Sequence, residues 1–251
     1  MADMIRTRRE QCWMELTIHR PDARNAMNRE MTEALLAAVQ EAACCDDCRA
    51  VILTGSGERA FSAGADIPEM CAMEGSEVAD FTNLGQQVTF ALEACPQPVV
   101  AAVNGFALGG GCELALACDL IFASDTAQLG LPEVNLGIIP GWGGTQRLPR
   151  RVGIGRAREI IYTGRRVGAE EALRIGFVDR IVPHDMLMHE VRAFATQLGS
   201  LSQPALAAAK EALRNAVTLS IAEGCQREAE LFAVAFESEG RVEAMGKFGQ
   251  K

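Results

Sequence analysis

The stretch Pro98-Val-Val-Ala-Ala-Val-Asn-Gly-Phe-Ala-Leu-Gly-Gly-Gly-Cys-Glu-Leu-Ala-Leu-Ala117 constrains the fold more than any other part of the chain. Pro98 punctuates, and Val99 to Val103 is a short apolar run rich in β-branched residues, which predicts a buried strand. Asn104-Gly105 breaks it. Gly109, Gly110 and Gly111 let the backbone pass close to a ligand, with amide N–H groups that no side chain obstructs. From Cys112 the pattern Glu-Leu-Ala-Leu-Ala predicts a helix with Glu113 in its first turn. A strand, three glycines and a helix N-terminus form a site whose backbone donors can hold negative charge. The plainer reading is that the glycines only let a helix pack tightly on a strand.

Two nucleotide-binding loops are excluded by spacing. A dinucleotide fingerprint needs G-x-G-x-x-G straight after the strand, and Gly105 followed by Gly109-Gly110-Gly111 does not match. A phosphate-cradling loop needs Gly-Lys-Ser/Thr, and the first lysine of this chain is Lys210. The absence of early lysines also excludes a Schiff base in the core, and no Ser-His-Asp or Cys-His pattern competes.

A chain of 251 residues can bury a full core. Its net charge of −9 argues against a nucleic-acid surface. The arginines at 147, 150, 151, 156 and 158 are a local exception, read as a solvated helix face. No segment has signal-peptide or membrane-spanning character. Nine scattered cysteines without disulfide-scaffold spacing predict a reducing compartment, hence a cytoplasmic protein. Cys44, Cys45 and Cys48 lack the second cysteine pair or histidine pair of a zinc site, and His19, His184 and His189 form no ligand motif, so no metal is expected.

Along the chain, alternation from Cys12 to Ile18 predicts a half-buried strand. Asn28 caps a helix running to about Ala43, and Ala50 to Leu53 is a short buried strand. Phe61 to Ile67 is a small-residue loop, and Glu77 to Cys95 is helical. Strands follow over Asp119 to Ala123 and Ala127 to Leu129, then a Pro/Gly-rich loop from Leu131 to Gly144. Helices are predicted over 144–151, 153–162 and 169–175, with a strand from Phe177 to Val182. Beyond His184 the pattern is helical only, with a break near Ser202-Gln203-Pro204. The alternation predicts an α/β fold with mostly parallel sheets. We divide it into a catalytic core over 1–190 and a helical region over 191–251 that serves as a lid or an assembly element.

Three features invite one site: Glu113 beside the glycines, Glu133 in the Pro/Gly-rich loop, and the loop around Ala65. Two carboxylates in one pocket can divide acid and base roles, because proximity and burial push their pKa values apart. Backbone N–H groups can stabilise an oxyanion as it forms. Together they suit proton transfer next to a carbonyl through an enolate. Taken singly, Glu113 also fits a helix charge stabiliser and Glu133 a solvated loop residue.

Phe61-Ser-Ala-Gly-Ala-Asp-Ile67, Asn104-Gly-Phe-Ala-Leu-Gly-Gly-Gly-Cys-Glu113 and Leu131-Pro-Glu-Val-Asn-Leu-Gly-Ile-Ile-Pro-Gly141 resemble the signatures of the enoyl-CoA hydratase/isomerase (crotonase) family. Gly143 to Leu148, Gly164 to Val182 and Ser238 to Phe248 extend the resemblance over nearly the whole chain. It implies a spiral of ββα turns and a C-terminal helical region that forms trimers, commonly paired into hexamers. It implies oxyanion-hole amides at Ala65 and Gly110, gripping the thioester oxygen of an acyl-CoA. It implies that Glu113 and Glu133 hold the water, Glu113 assisting attack on the β-carbon and Glu133 managing the proton at the α-carbon. Ala63, Asp66 and Ile67 match positions along the coenzyme A cleft, and Phe248 matches an aromatic near the adenine.

Pro68 stands where the family frequently has lysine, so Arg24 is our candidate for the phosphates. Trp142 stands where Phe or a smaller residue is more usual, and we assign it to packing rather than to the acyl pocket. The activity implied is hydration of a 2-enoyl-CoA, with coenzyme A as part of the substrate and no separate cofactor. Isomerisation, hydration of a cyclic dienoyl-CoA, and a non-catalytic acyl-CoA-binding or RNA-binding scaffold remain alternatives; paired glutamates and an acidic net charge weigh against the last.

Overall fold

The computed structural model describes residues 4–248, without the side chains of 243, 244, 247 and 248. In chain order the elements are β1 (Ile5–Arg9), β2 (Trp13–Ile18), α1 (Arg29–Ala43), β3 (Ala50–Gly55), β4 (Ala60–Ser62), α2 (Ile67–Ala72), α3 (Ser76–Ala94), β5 (Val99–Val103), β6 (Phe106–Leu108) and α4 (Gly110–Ala117). Then come β7 (Leu120–Ser124), β8 (Gln128–Gly130), α5 (Gly144–Val152), α6 (Ile154–Thr163), β9 (Val167–Gly168), α7 (Ala169–Arg174) and β10 (Arg180–Val182). Four helices close the chain: α8 (Leu187–Gly199), α9 (Gln203–Asn215), α10 (Ile221–Phe236) and α11 (Glu239–Phe248).

The strands form two sheets, ordered β1-β2-β3-β5-β7-β10 and β4-β6-β8-β9. Each of β3, β5 and β7 lies in the larger sheet and is followed within a few residues by β4, β6 or β8 in the smaller one. A helical crossover separates the successive pairs β3–β4 and β5–β6, and α4 leads on to β7. This is the expected spiral of ββα turns. The pairings are parallel except at the two rims, β1 with β2 and β8 with β9.

Both faces of the large sheet are covered. Leu16, Val51, Leu53, Val99, Ala101 and Ile121 join the main core, while Trp13, Ile52, Val100, Ala102 and Phe122 pack with Leu187, Val191 and Ala195 of α8. Strands buried on two faces read as continuous apolar runs, which is why β5 is legible residue for residue. The same packing corrects β2, expected to be half-buried: α8 covers its second face, and Glu15 there pairs with Arg192 of α8 at 2.7 Å. Strand β1, an edge strand carrying Arg6, Arg8 and Arg9, was not anticipated, because alternating charge on a solvent edge carries no burial signal. The short strand β4 falls partly in the expected loop from Phe61, and β6 and β9 carry no strand signal of their own; at two or three residues all three owe their conformation to their neighbours.

Helix α1 starts where Asn28 accepts from the Met31 N–H at 3.0 Å. Helix α4 begins at Gly110, two residues before the expected Cys112, so two of the three glycines form its first turn. The arginine cluster is not uniformly solvated: Arg147 is 9% exposed and faces inward against Glu93. Helix α9 is pinned to the core by Lys210, whose ammonium pairs with Asp119 at 2.6 Å and donates to the carbonyls of Leu92 and Gln97.

Candidate active site

The loop after β4, the first turn of α4, the 3-10 turn Pro132–Leu136 and the segment 138–146 enclose a cavity of about 660 Å³. Ala63, Ala65, Ile67, Gly110, Glu113 and Glu133 all line it. Residues from three separate turns of the spiral therefore meet at one place.

Two backbone amides are available there. Gly110 is the first residue of α4, and the first N–H groups of a helix have no intrahelical acceptor. Ala65 forms a parallel bridge with Met27 in which its neighbours carry the bonds: Met27 N–H donates to Gly64 O at 2.8 Å and Asp66 N–H to Met27 O at 2.9 Å. In that pattern the N–H of Ala65 itself points away from Met27. The two loops touch, since a methyl group placed on Gly64 would stand 3.2 Å from the Gly110 nitrogen.

The two carboxyl groups are both buried, Glu113 at 1% and Glu133 at 8% exposure, but their surroundings differ. Glu113 Oε1 accepts from the N–H of Trp142 at 2.8 Å and of Gly144 at 2.7 Å. Burial pushes its carboxyl up, opposed by those amides and by the Arg147 guanidinium. For Glu133 neither carboxyl oxygen has a hydrogen-bond partner among the described residues. Burial, and then the neighbouring Glu113 charge, push it up to about 7. One carboxylate is thus held by donors and the other is left poised near neutrality. Between them lies Gly109, with φ +52°, where a Cβ would come within 3.3 Å of Glu133 Oε1. The thiol of Cys112, fully buried beside both, is raised by burial and by the two carboxylates.

Trp142, assigned from the sequence to packing rather than to the pocket, does both: it packs between α3 and α4 and forms one wall of the cavity. Its indole occupies the space that side chains on Gly85 of α3 and Gly110 of α4 would fill, with ideal Cβ positions only 2.1 and 2.9 Å from ring atoms. Phe81 meets it edge-on at 5.7 Å.

Other residues singled out from the sequence fall elsewhere. Asp66 does not line the cavity. Its carboxylate caps α2 by accepting from the Glu69 N–H at 3.2 Å and pairs with Arg20. Burial works against ionisation of Asp66, but the Arg20 and Glu69 bonds outweigh it and hold the carboxyl below its usual range. Arg24 is exposed and outside the cavity lining; its carbonyl accepts from the Ala63 N–H at 3.0 Å, so it stands next to one lining residue. The side chain of Phe248 lies outside the described residues. No group of three His, Cys, Asp or Glu side chains among the described residues is placed to share a metal ion.

Sequence reasoning missed the apolar wall of the cavity, supplied by Met70, Phe81, Leu136 and Ile138, and the braces behind it, Gln86, Thr89 and Arg147. A signal for the braces exists: polar residues at 86, 89 and 93 share one face of a helix whose other buried positions are apolar.

Comparison with known proteins gives one family. Residues 8–251 match the model of the enoyl-CoA hydratase/isomerase family. The short-chain-enoyl-CoA hydratase of Clostridium acetobutylicum is 43% identical over 236 residues, 94% of this chain and 90% of that protein. The crotonyl-CoA hydratase of Syntrophomonas wolfei is 42% identical over 94% of this chain and 91% of its own length. A crystal structure of an enoyl-CoA hydratase from Bacillus anthracis superposes with a TM-score of 0.96 at 38% identity, covering 98% of this chain and 96% of that one. A shared spiral, a match along nearly the full length and identities of this size have one meaning: the chain belongs to the enoyl-CoA hydratase/isomerase family.

Proposed function

We propose that this protein is an enoyl-CoA hydratase, adding water reversibly across the α,β double bond of a 2-enoyl-CoA thioester. The observation that carries the reading is the convergence of two unlike buried carboxyls on one cavity with the free amides of Ala65 and Gly110. In this reading the two amides receive the thioester oxygen, whose negative charge grows as the enolate forms. Donors fixed in advance at such a position contribute about 3–4 kcal/mol each in transition-state stabilisation.

Glu113, ionised and held still, takes a proton from water as its oxygen attacks the β-carbon. Glu133, protonated near neutral pH, gives its proton to the α-carbon. The C–OH and C–H bonds form on one face of the substrate, the π bond is consumed, and the two carboxyls exchange charge states before solvent resets them. The unpartnered oxygens of Glu133 support the assignment, because a buried carboxyl without hydrogen bonds is costly unless substrate and water complete it. No separate cofactor enters: coenzyme A arrives with the substrate.

Ala63 and Ile67 line the cleft for the pantetheine arm, with Arg24 beside Ala63 for the phosphates and Asp66 setting the start of α2. Phe248 is the candidate for the adenine. The C-terminal helices present Leu213, Ile221, Phe232 and Val234 to solvent and bound an apolar groove of about 680 Å³, which supports assembly into trimers or hexamers. No helix among the described residues is long and apolar enough to cross a membrane, and the nine cysteines are unpaired, which fits the cytoplasm.

The test is turnover of short, medium, long and cyclic enoyl-CoA thioesters side by side, followed by loss of the conjugated-thioester absorbance. Hydration of the linear substrates is expected. Tight acyl-CoA binding with no turnover of any of them would overturn the proposal, and double-bond migration without hydration would assign the isomerase alternative.

A further inference from the structure

Helix α3 carries Gln86, Thr89 and Glu93 at spacings of three and four, so all three lie on one face. That face braces the loop that holds Glu113. Gln86 Nε2 donates to the Gly141 carbonyl at 2.9 Å, and Thr89 Oγ1 shares its one proton between the Gln86 carbonyl at 3.0 Å and the Trp142 carbonyl at 3.1 Å. Glu93 takes Arg147 in a two-pronged pair of 2.8 and 2.9 Å, and Arg147 Nη1 donates to the same Trp142 carbonyl at 2.8 Å.

The opposite edge of the loop turns the N–H groups of Trp142 and Gly144 onto Glu113 Oε1. The oxygen of Gly141 and the N–H of Trp142 belong to one peptide plane, which is rigid. Gln86, bonded to the Gly141 oxygen, therefore aims the Trp142 N–H and polarises it. The Trp142 oxygen lies in the next plane, with the Gly143 N–H, so Thr89 and Arg147 anchor the loop between the two donating amides without aiming either directly. An Arg–Glu pair with one buried and one half-exposed partner adds little net stability, so bulk stabilisation alone does not account for it.

We propose that Gln86, Thr89 and Glu93, the last through Arg147, are positioning residues for Glu113. Gln86 aims the Trp142 N–H through the Gly141 carbonyl, and Thr89 with Arg147 anchors the loop at the Trp142 carbonyl, so that the amides on either side of it meet one carboxylate oxygen. The inference rests on reading Glu113 as the group that activates water. Its consequence is that Glu113 is oriented and has donors opposing the upward push of burial, while Glu133 has no such brace. The titratable and charged groups around Glu113 are Cys112 beside it on α4, Glu133 from the 3-10 turn, Arg147 from α5 and Glu93 of α3 behind Arg147.

The experiment compares Arg147→Met, Arg147→Lys and Gln86→Leu with the wild type by two readouts. One is the pH profile of kcat/KM for a short enoyl-CoA. The other is the titration midpoint of Glu113 by 13C NMR of labelled glutamate, its signal identified by its loss in Glu113→Gln.

Arg147→Met is expected to lose on the order of a hundredfold in kcat/KM, as for a misplaced reacting group. Its acidic limb and NMR midpoint should both move up by about one pH unit, since a nearby cation has been removed. Arg147→Lys keeps the charge but not the fork, so it should restore the midpoint and only part of the rate. Gln86→Leu should move both readouts in the Arg147→Met direction by less, and it decides the matter if Arg147→Met does not fold.

A fall in rate with both midpoints unmoved would overturn the proposal and leave a packing role. Absence of turnover in the wild type would sink the hydratase reading instead, while the NMR midpoints would still judge the brace.

Discussion

Glu113 sits in the first turn of a regular helix and receives two amides from a loop braced by α3, whereas Glu133 rides on a short 3-10 turn and receives none. Burial raises both; donors and Arg147 oppose the rise at Glu113, while the Glu113 charge adds to it at Glu133. Burial raises a carboxyl, and donors aimed at it work against that rise. Two residues of one type thereby acquire the two states that acid–base chemistry across a double bond requires.

Exchange of either carboxyl for an amide tests the comparison most severely. Glu113→Gln and Glu133→Gln should each lower kcat for hydration by about a hundredfold to ten-thousandfold, with acyl-CoA affinity measured by calorimetry largely kept. Survival of turnover in either variant would break the division of roles.

The next test is the pH profile. Hydration needs Glu133 protonated, so its kcat/KM should fall as pH rises through about 7, and because addition of water takes up no net proton, kcat/KM for dehydration of the 3-hydroxyacyl product should fall over the same range. A profile that stays flat through pH 7 would break the assignment.

Stability sharpens the contrast further. The Glu133 carboxyl binds its proton more tightly folded than unfolded, between 4.5 and about 7. Over that window the folded state holds more protons, so this residue's contribution to stability falls as pH rises and is flat above it. Glu133→Gln should therefore stabilise the protein at pH 8, by up to about 3 kcal/mol, with the gain fading towards pH 4. Urea denaturation at the two pH values measures it.

The smallest effect is expected at Gly109. With φ +52° and a Cβ that would stand 3.3 Å from Glu133 Oε1, Gly109→Ala should cost about 1–2 kcal/mol and displace that carboxyl, lowering kcat more than it raises KM.

The ladder of β5, the cap of α1 at Asn28 and the helical C-terminal region were legible because each rests on local signals: an unbroken apolar run, a capping side chain, a helical period. Strand β1 and the short strands β4, β6 and β9 were not, since strands of two or three residues, or of arginines on an edge, take their conformation from pairing. At the site, the residue types at 65, 110, 113 and 133 were visible as motifs. Asp66 was visible too, but its pairing with Arg20 turned it from the cleft to the capping of α2. The brace from α3 to Glu113 escaped notice because Gln86, Thr89 and Arg147 act through backbone carbonyls: polar residues at 86, 89 and 93 mark a face of the helix but not the loop it holds.

The sequence by itself determined an α/β alternation with mostly parallel strands, a glycine-rich helix start with a carboxylate in its first turn, and a second carboxylate some twenty residues on; the family resemblance added the spiral. Periodicity and short-range chemistry are written in neighbouring residues. Only the tertiary structure decided that one carboxylate is held by two amides and the other by none. That distinction depends on loops far apart in the chain arriving within hydrogen-bonding distance, and on both carboxyls being buried where they meet.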